Sequence, residues 1–280
     1  MSTDDEALPA THIRYELDAP VAVVRLHRPE KLNAFTFGMV RDLRRAVDRA
    51  AADPAVAGIV VTGAGRAFCA GLDAGDLARS AAGTAPAGDT VADPDELPAL
   101  FSYLLRVPKP VVAAVNGVAA GGGMVLALMC DLRFGAETAS FTTAFSRRGL
   151  VAEHLTSWLL PRQVGTSAAL DLLWSSRRVD AEEAFRLGLL DRVVPGEQVV
   201  TAAAAYVRDL AANVSARSVA VMKEQVYRHW ALAVAEAARD ADRLTEDALR
   251  HPDAAEGVAS FVERRPPQFE EHRRGPITYV

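Results

Sequence analysis

The chain has 280 residues, half of them hydrophobic, and a formal net charge of −5. That length and apolar content suit one sizeable globular core that needs no disulfide or metal staples. The acidic balance argues against nucleic acid or an anionic membrane as the main partner.

In chain order, residues 1–11 ("MSTDDEALPAT") read as a disordered acidic tail, without the basic region and apolar run of a signal peptide. "THIRYELDAPVAVVRLHRP" alternates polar and apolar residues around Asp18-Ala19-Pro20, which predicts a hairpin. "TFGMVRDLRRAVDRAAADP" carries Met39, Val40, Leu43 and Val47 at helical spacing and stops near Asp53-Pro54. "VAGIVVTG" and "KPVVAAVNG" are short continuous apolar runs, the mark of strands buried on both faces. Between them, residues 79–98 are rich in Ala, Gly, Pro and Asp and read as a surface loop. "GGMVLALMCD" predicts a buried helix, and "LRFGAE" and "ASFTT" predict short strands. Helices dominate from Leu155 onward, so an α/β core is followed by a helical C-terminal region. The longest apolar run is broken by Asn116 and several glycines, which fits a strand, a turn and a helix rather than a membrane span. Cys69 and Cys130 are far apart and form no CxxC, so both read as reduced core thiols of a cytoplasmic protein. No internal sequence repeat is evident.

Each of the first two buried strands runs into a glycine-rich turn: residues 60–77, "VVTGAGRAFCAGLDAGDL", and residues 114–128, "AVNGVAAGGGMVLAL". Phe68 stands where a dinucleotide fingerprint needs its third glycine, and no GK[ST], GxSxG or HExxH occurs. A glycine turn opening a helix leaves unpaired N–H groups at the positive end of the helix dipole. Two such turns can aim two amides at one oxygen, forming an oxyanion hole. Tight strand–helix packing is the competing explanation for the same glycines.

"HRPEKLNAF", the two glycine turns, "GLLDRVVP" and "EGVASFVERRPPQF" follow one another in the order seen in the crotonase, or enoyl-CoA hydratase/isomerase, superfamily. The resemblance runs from about residue 12 to residue 270. It implies a crotonase-like α/β spiral of ββα repeats over residues 12–200, with a helical trimerisation region over 201–280. It also implies a homotrimer or dimer of trimers, and an acyl-CoA thioester as substrate with no further cofactor and no metal. The family pattern places oxyanion-hole amides at Leu72 and Gly122. Its coenzyme A contacts fall on Lys31, Leu32 and Ala34 in "EKLNA" and on Phe68, Ala70 and Asp73 in "RAFCAGLD". Asp73 equally fits a helix cap.

Hydratases of the family use two glutamates. The same alignment puts those positions at Val125 and Phe145, neither of which transfers a proton. The acid in "GLVAEH", Glu153, resembles instead the catalytic carboxylate of Δ3,Δ2-enoyl-CoA isomerases, whose segment reads G-L-x-x-E-G-G. His154 and Leu155 replace that pattern's two glycines. One carboxylate suffices to move a proton between two carbons. The sequence therefore favours an isomerase. A hydratase, hydrolase or decarboxylase with Glu153 as replacement base, or a non-catalytic acyl-CoA-binding protein, are the alternatives. Glu153 as a plain helix-start charge is the remaining one.

Overall fold

The computed structural model describes residues 12–84 and 99–269. The N-terminal tail, residues 85–98 of the expected loop, and residues 270–280 lie outside them. The chain opens with an antiparallel hairpin, β1 (Ile13–Asp18) and β2 (Val21–Leu26), turning at Ala19-Pro20. Helix α1 (Phe37–Ala52) follows, with the Thr36 hydroxyl accepting the Met39 amide at its start. Its buried residues Met39, Leu43, Ala46, Val47 and Ala50 fall on one stripe, as the helical spacing predicts.

A strand–strand–helix unit then recurs. β3 (Gly58–Gly63), β4 (Ala67–Cys69) and α2 (Ala74–Ala81) form one unit, and β5 (Val111–Val115), β6 (Val118–Ala120) and α3 (Gly122–Met129) the next. β7 (Leu132–Ala136) and β8 (Ser140–Thr142) lead into α4 (Thr156–Val164) and α5 (Thr166–Ser175). β9 (Val179–Asp180), α6 (Ala181–Arg186) and β10 (Arg192–Val194) complete the spiral. The long strands make a six-stranded sheet in the order β1-β2-β3-β5-β7-β10, parallel apart from the first hairpin. The short ones make a second sheet, β4-β6-β8-β9. The repeat is thus one of topology, which the sequence does not advertise because each unit fills its core with different side chains.

Period-two alternation splits the first sheet's side chains between two cores. Ala22, Val24 and Leu26 of β2 and Ile59 and Val61 of β3 enter the larger cluster, with α1, α3 and Phe141. Val21, Val23, Val60, Val112 and Phe134 face the other way and meet α7 (Val199–Asn213) through Val199, Ala203, Ala204 and Val207. α7 therefore covers a sheet face, although the sequence reading starts its separate helical region at residue 201. The long helical run after Ser215 is two helices, α8 (Ala216–His229) and α9 (Val234–Leu249), followed by α10 (Pro252–Glu263). The expected loop over 79–98 begins later than the composition suggests, because Arg79, Ser80 and Ala81 still belong to α2. Among the described residues no helix is long and apolar enough to cross a membrane.

Candidate active site

The first glycine turn is held from both sides by asparagines. Asn33, fully buried and left-handed at φ +56°, donates through Nδ2 to Ala64 O and Ala67 O, each at 2.8 Å, and accepts the Arg28 amide on Oδ1 at 2.9 Å. Asn116 accepts the Gly63 amide at 3.1 Å and donates to Gly65 O at 2.8 Å. Beyond β4 the chain turns at Gly71 (φ +98°), and Leu72 forms an isolated bridge with Phe35. The Phe35 amide donates to Gly71 O, and the Asp73 amide donates to Phe35 O, both at 2.8 Å. Backbone groups alternate in direction along an extended chain, so the bonds made by residues 71 and 73 turn the Leu72 N–H away from Phe35.

The second turn comes after β6, at Gly121 (φ +50°), whose amide is tied to Thr142 O at 3.0 Å. Gly122 is the first residue of α3, a helix buried from Gly123 to Met129. First-turn amides of a helix have no partner within it. Among the described residues, neither the Leu72 nor the Gly122 amide donates a hydrogen bond. The two turns abut. A Cβ on Gly71 would lie 2.8 Å from Ala120 O and 3.4 Å from Gly122 N, and one on Gly123 would strike the Cys69 carbonyl. A Cβ on Gly122 would sit 2.5 Å from Cζ of the buried Phe35 ring. Close packing and a pair of free amides therefore coexist. The sequence presents packing and available amides as alternatives, and the structure holds both.

Glu153 lies in a turn between Phe145 and α4. Ser146–Arg148 form a 3-10 turn, Gly149 reverses the chain at φ +69°, and the Leu150 amide returns to Phe145 O. Glu153 is half-buried, its carbonyl accepts the Thr156 amide at 2.9 Å, and its carboxylate takes no hydrogen bond among the described residues. α4 has no side-chain cap, so Glu153 does not serve its N-terminus by capping. His154 (φ +50°) and Leu155 (φ +63°) are consecutive left-handed residues. Each costs about 1–2 kcal/mol relative to glycine there. His154 Nδ1 accepts the Leu100 amide at 3.3 Å. Burial pushes the imidazole pKa down, and the charge of Glu153 opposes that shift. Val125 and Phe145, which the sequence resemblance sets at the hydratases' two glutamate positions, are buried. They share one core cluster with Phe35 and Phe101, against which Leu72, Leu100 and Leu155 pack.

The candidate coenzyme A residues divide. Lys31 is exposed, and the Leu32 carbonyl accepts the Ala70 amide at 3.0 Å, so "EKLNA" and "CAGLD" run side by side. Arg28 Nη1 bonds Ala34 O at 3.1 Å and Asp73 Oδ2 at 2.7 Å. Asp73 also caps α2 by accepting the Gly75 amide. The hydrogen bond from Arg28 and then the Gly75 amide hold its carboxyl below the usual range. Lys31, Leu32, Ala34, Ala70 and Asp73 thus lie along one rim, and Asp73 has a cap and an ion pair to maintain whatever else it touches. The Phe68 ring lies fully buried in the core, behind that rim. Cys69 and Cys130 are free, buried thiols pushed up to about 12 by burial. Asp131 accepts from the Val111 amide, Lys223 and Tyr227, which makes it a structural tie.

Residue patterns alone missed Asn33, Asn116 and Phe35. An asparagine that tolerates left-handed backbone was a signal at Asn33, but nothing in the sequence says which carbonyls its amide meets.

The sequence model of the enoyl-CoA hydratase/isomerase family matches residues 16–273. The chain belongs to that family. It is 39% identical over 260 residues to a Rhodobacter capsulatus protein named "Probable enoyl-CoA hydratase", covering 92% of this chain and 97% of that one. It is 35% identical over 253 residues to the 1,2-epoxyphenylacetyl-CoA isomerase of Escherichia coli, covering 89% and 94%. A crystal structure of an enoyl-CoA hydratase/isomerase homologue from Mycobacterium abscessus superposes with a TM-score of 0.81 at 36% identity, over 92% of this chain and 98% of that one. The crotonase-like α/β fold, and an acyl-CoA enzyme of the hydratase/isomerase family, are therefore the expectations that stand. Hydratase predominates among the names of these relatives, and the Escherichia coli protein is named an isomerase.

Proposed function

We propose that the protein shifts a carbon–carbon double bond within an enoyl-CoA thioester, with Glu153 as the proton shuttle. One observation carries the reading. Glu153 is a half-buried carboxylate without a hydrogen-bond partner among the described residues, whereas the two usual acid positions hold the buried Val125 and Phe145. The Glu153 carboxylate removes the α-proton of a 3-enoyl thioester. The C–H electron pair moves toward the carbonyl, and the thioester oxygen becomes a dienolate oxyanion. The free amides of Leu72 and Gly122 hold that charge, each contributing about 2.7–4 kcal/mol of transition-state stabilisation by analogy with measured oxyanion-hole donors. Glu153 then returns the proton to the γ carbon, the oxyanion collapses to the carbonyl, and the α,β double bond forms. No water enters and no cofactor beyond the thioester is needed.

The rim of Lys31, Leu32, Ala34, Ala70 and Asp73 receives the coenzyme A moiety, with Phe68 supporting it from behind through its backbone. The chain assembles as a homotrimer or dimer of trimers. Exposed apolar side chains on α8 to α10, among them Met222, Val226, Val258, Phe261 and Val262, supply faces for a second copy, and light scattering coupled to size exclusion measures the mass.

The hydratase names among the relatives favour a second reading, in which Glu153 activates water toward a 2-enoyl thioester. Incubating the protein with 3-enoyl-CoA and 2-enoyl-CoA separately in D₂O decides between them. The proposed reaction isomerises the 3-enoyl substrate with the shuttled α-proton appearing at the γ carbon and little deuterium entering, and Glu153→Gln lowers the rate by about 10²–10⁴-fold. Undiminished isomerisation by the variant overturns the role of Glu153. Rapid hydration of the 2-enoyl substrate by the wild type establishes the second reading, and a hydrolysed or decarboxylated product points to the same carboxylate in those reactions. Binding of CoA esters without exchange or turnover makes the protein an acyl-CoA-binding member of its family.

A further inference from the structure

His154 stands where the isomerase pattern has glycine, and it is held at φ +50°, followed by Leu155 at +63°. Two successive β-carbon residues in the left-handed region are disfavoured, and such backbone persists where surrounding structure holds it in place. A third left-handed residue, Phe101 at φ +65°, follows the residue that His154 meets. The amide of the residue before it, Leu100, donates to His154 Nδ1 at 3.3 Å. A backbone N–H only donates, so this nitrogen must be the unprotonated acceptor of the ring, and the proton of the neutral imidazole is on Nε2.

The bond joins the turn that carries Glu153 to the support of both free amides. The Phe101 ring meets the Phe35 ring edge-on, with centroids 5.5 Å apart. The Phe35 ring fills the space where Gly122 would carry a Cβ, and the Phe35 main chain brackets Leu72 through its bonds to Gly71 and Asp73. A path of direct contacts thus runs from His154 through Leu100, Phe101 and Phe35 to Gly122 and Leu72. Glycine at position 154 would adopt the same backbone freely but would break the path at its first step.

We propose that His154 is a positioning residue: its Nδ1 acceptor clamps the Leu100 amide and so fixes the Glu153 turn against the Phe101–Phe35 pair that backs the two amide donors. The catalytic part of this role rests on the reading of Glu153, Leu72 and Gly122 given above, whereas the clamp itself does not. Glycine and asparagine both tolerate the left-handed backbone, but only asparagine offers an oxygen acceptor near the place of Nδ1. The two substitutions therefore separate the acceptor from the backbone.

The experiment compares full-length wild type, His154→Gly and His154→Asn. It follows hydrogen exchange of the peptide containing Leu100, thermal unfolding, and kcat and KM on 3-enoyl-CoA. In His154→Gly the Leu100 amide should exchange about tenfold faster, the loss expected for one hydrogen bond, while the midpoint of unfolding holds or rises. Its kcat should fall about tenfold to a hundredfold through misplacement of the base relative to the amides, with KM changing less. His154→Asn should restore both exchange protection and kcat to within about threefold. Unchanged Leu100 exchange in His154→Gly overturns the clamp, whatever reaction the protein catalyses. Equal kcat losses in both variants overturn the acceptor role in favour of ring packing. If Glu153→Gln is fully active, the proposed reaction falls, and the exchange measurement still decides the clamp by itself.

Discussion

Asn33→Asp tests how the first glycine turn is held. The change is nearly isosteric, and aspartate tolerates the left-handed backbone at φ +56° as asparagine does, so the backbone conformation is held constant. It replaces the Nδ2 amide, a donor to Ala64 O and Ala67 O at 2.8 Å each, with a carboxylate oxygen facing the same two carbonyls. The bond from the Arg28 amide to Oδ1 survives. The Ala64 carbonyl loses its partner, at about 1–3 kcal/mol, whereas Ala67 O keeps the Asn116 Nδ2 donor at 3.2 Å. That loss of about 1–3 kcal/mol is set against a total stability of roughly 5–15 kcal/mol for a native protein. The position is fully buried, so solvent does not offset the loss. Lowering the pH protonates the new carboxyl and restores one O–H donor. The deficit should therefore be largest near neutrality and shrink as the pH falls toward about 5, the direction expected for a buried acid whose pKa is raised by desolvation. Urea unfolding of wild type and variant at one chain concentration, at both pH values, measures it. A deficit below about 1 kcal/mol at neutral pH, within the net worth of a single ordinary hydrogen bond, would show that the Asn33 amide does not hold this turn.

Two further outcomes follow from the site. Gly122→Ala places a Cβ 2.5 Å from Phe35 Cζ and should destabilise by about 1–3 kcal/mol through overpacking. Phe35→Leu in the same chain should recover about 1 kcal/mol relative to the sum of the single changes, and strict additivity in thermal unfolding would refute the contact. Burial lowers the pKa of His154 from its ordinary 6.5 despite the charge of Glu153. Its contribution to stability is therefore fully present above pH 6.5 and is lost as the pH falls through the lower folded value. The stability of His154→Asn should accordingly fall less steeply than that of wild type below pH 6.5, and parallel pH profiles would refute the assignment.

The amphipathic spacing of α1, the continuous apolar runs of β3 and β5 and the buried character of α3 were legible in the chain, because burial leaves a periodic imprint on residue type. Long motifs in a characteristic order also made the family legible, together with the two glycine turns. Composition placed the loop boundary too early, since Ala and Arg at positions 78 and 79 suit a helix as well as a surface segment. The short strands β4 and β6 escaped notice, because three residues are too few to show a period, whereas β8 lies in the expected strand "ASFTT". Position in the sequence singled out Glu153, but whether its carboxylate was a cap depended on where α4 begins and what meets its first amides. Leu72 and Gly122 are 50 residues apart and carry no side-chain signal of their own function. Only the tertiary structure sets Gly71 against Gly122 N, turns the Leu72 amide away from Phe35 and seats the Phe35 ring on Gly122. Residue types record which side chains are buried. The direction of a backbone N–H depends on what its neighbours bond to across the fold.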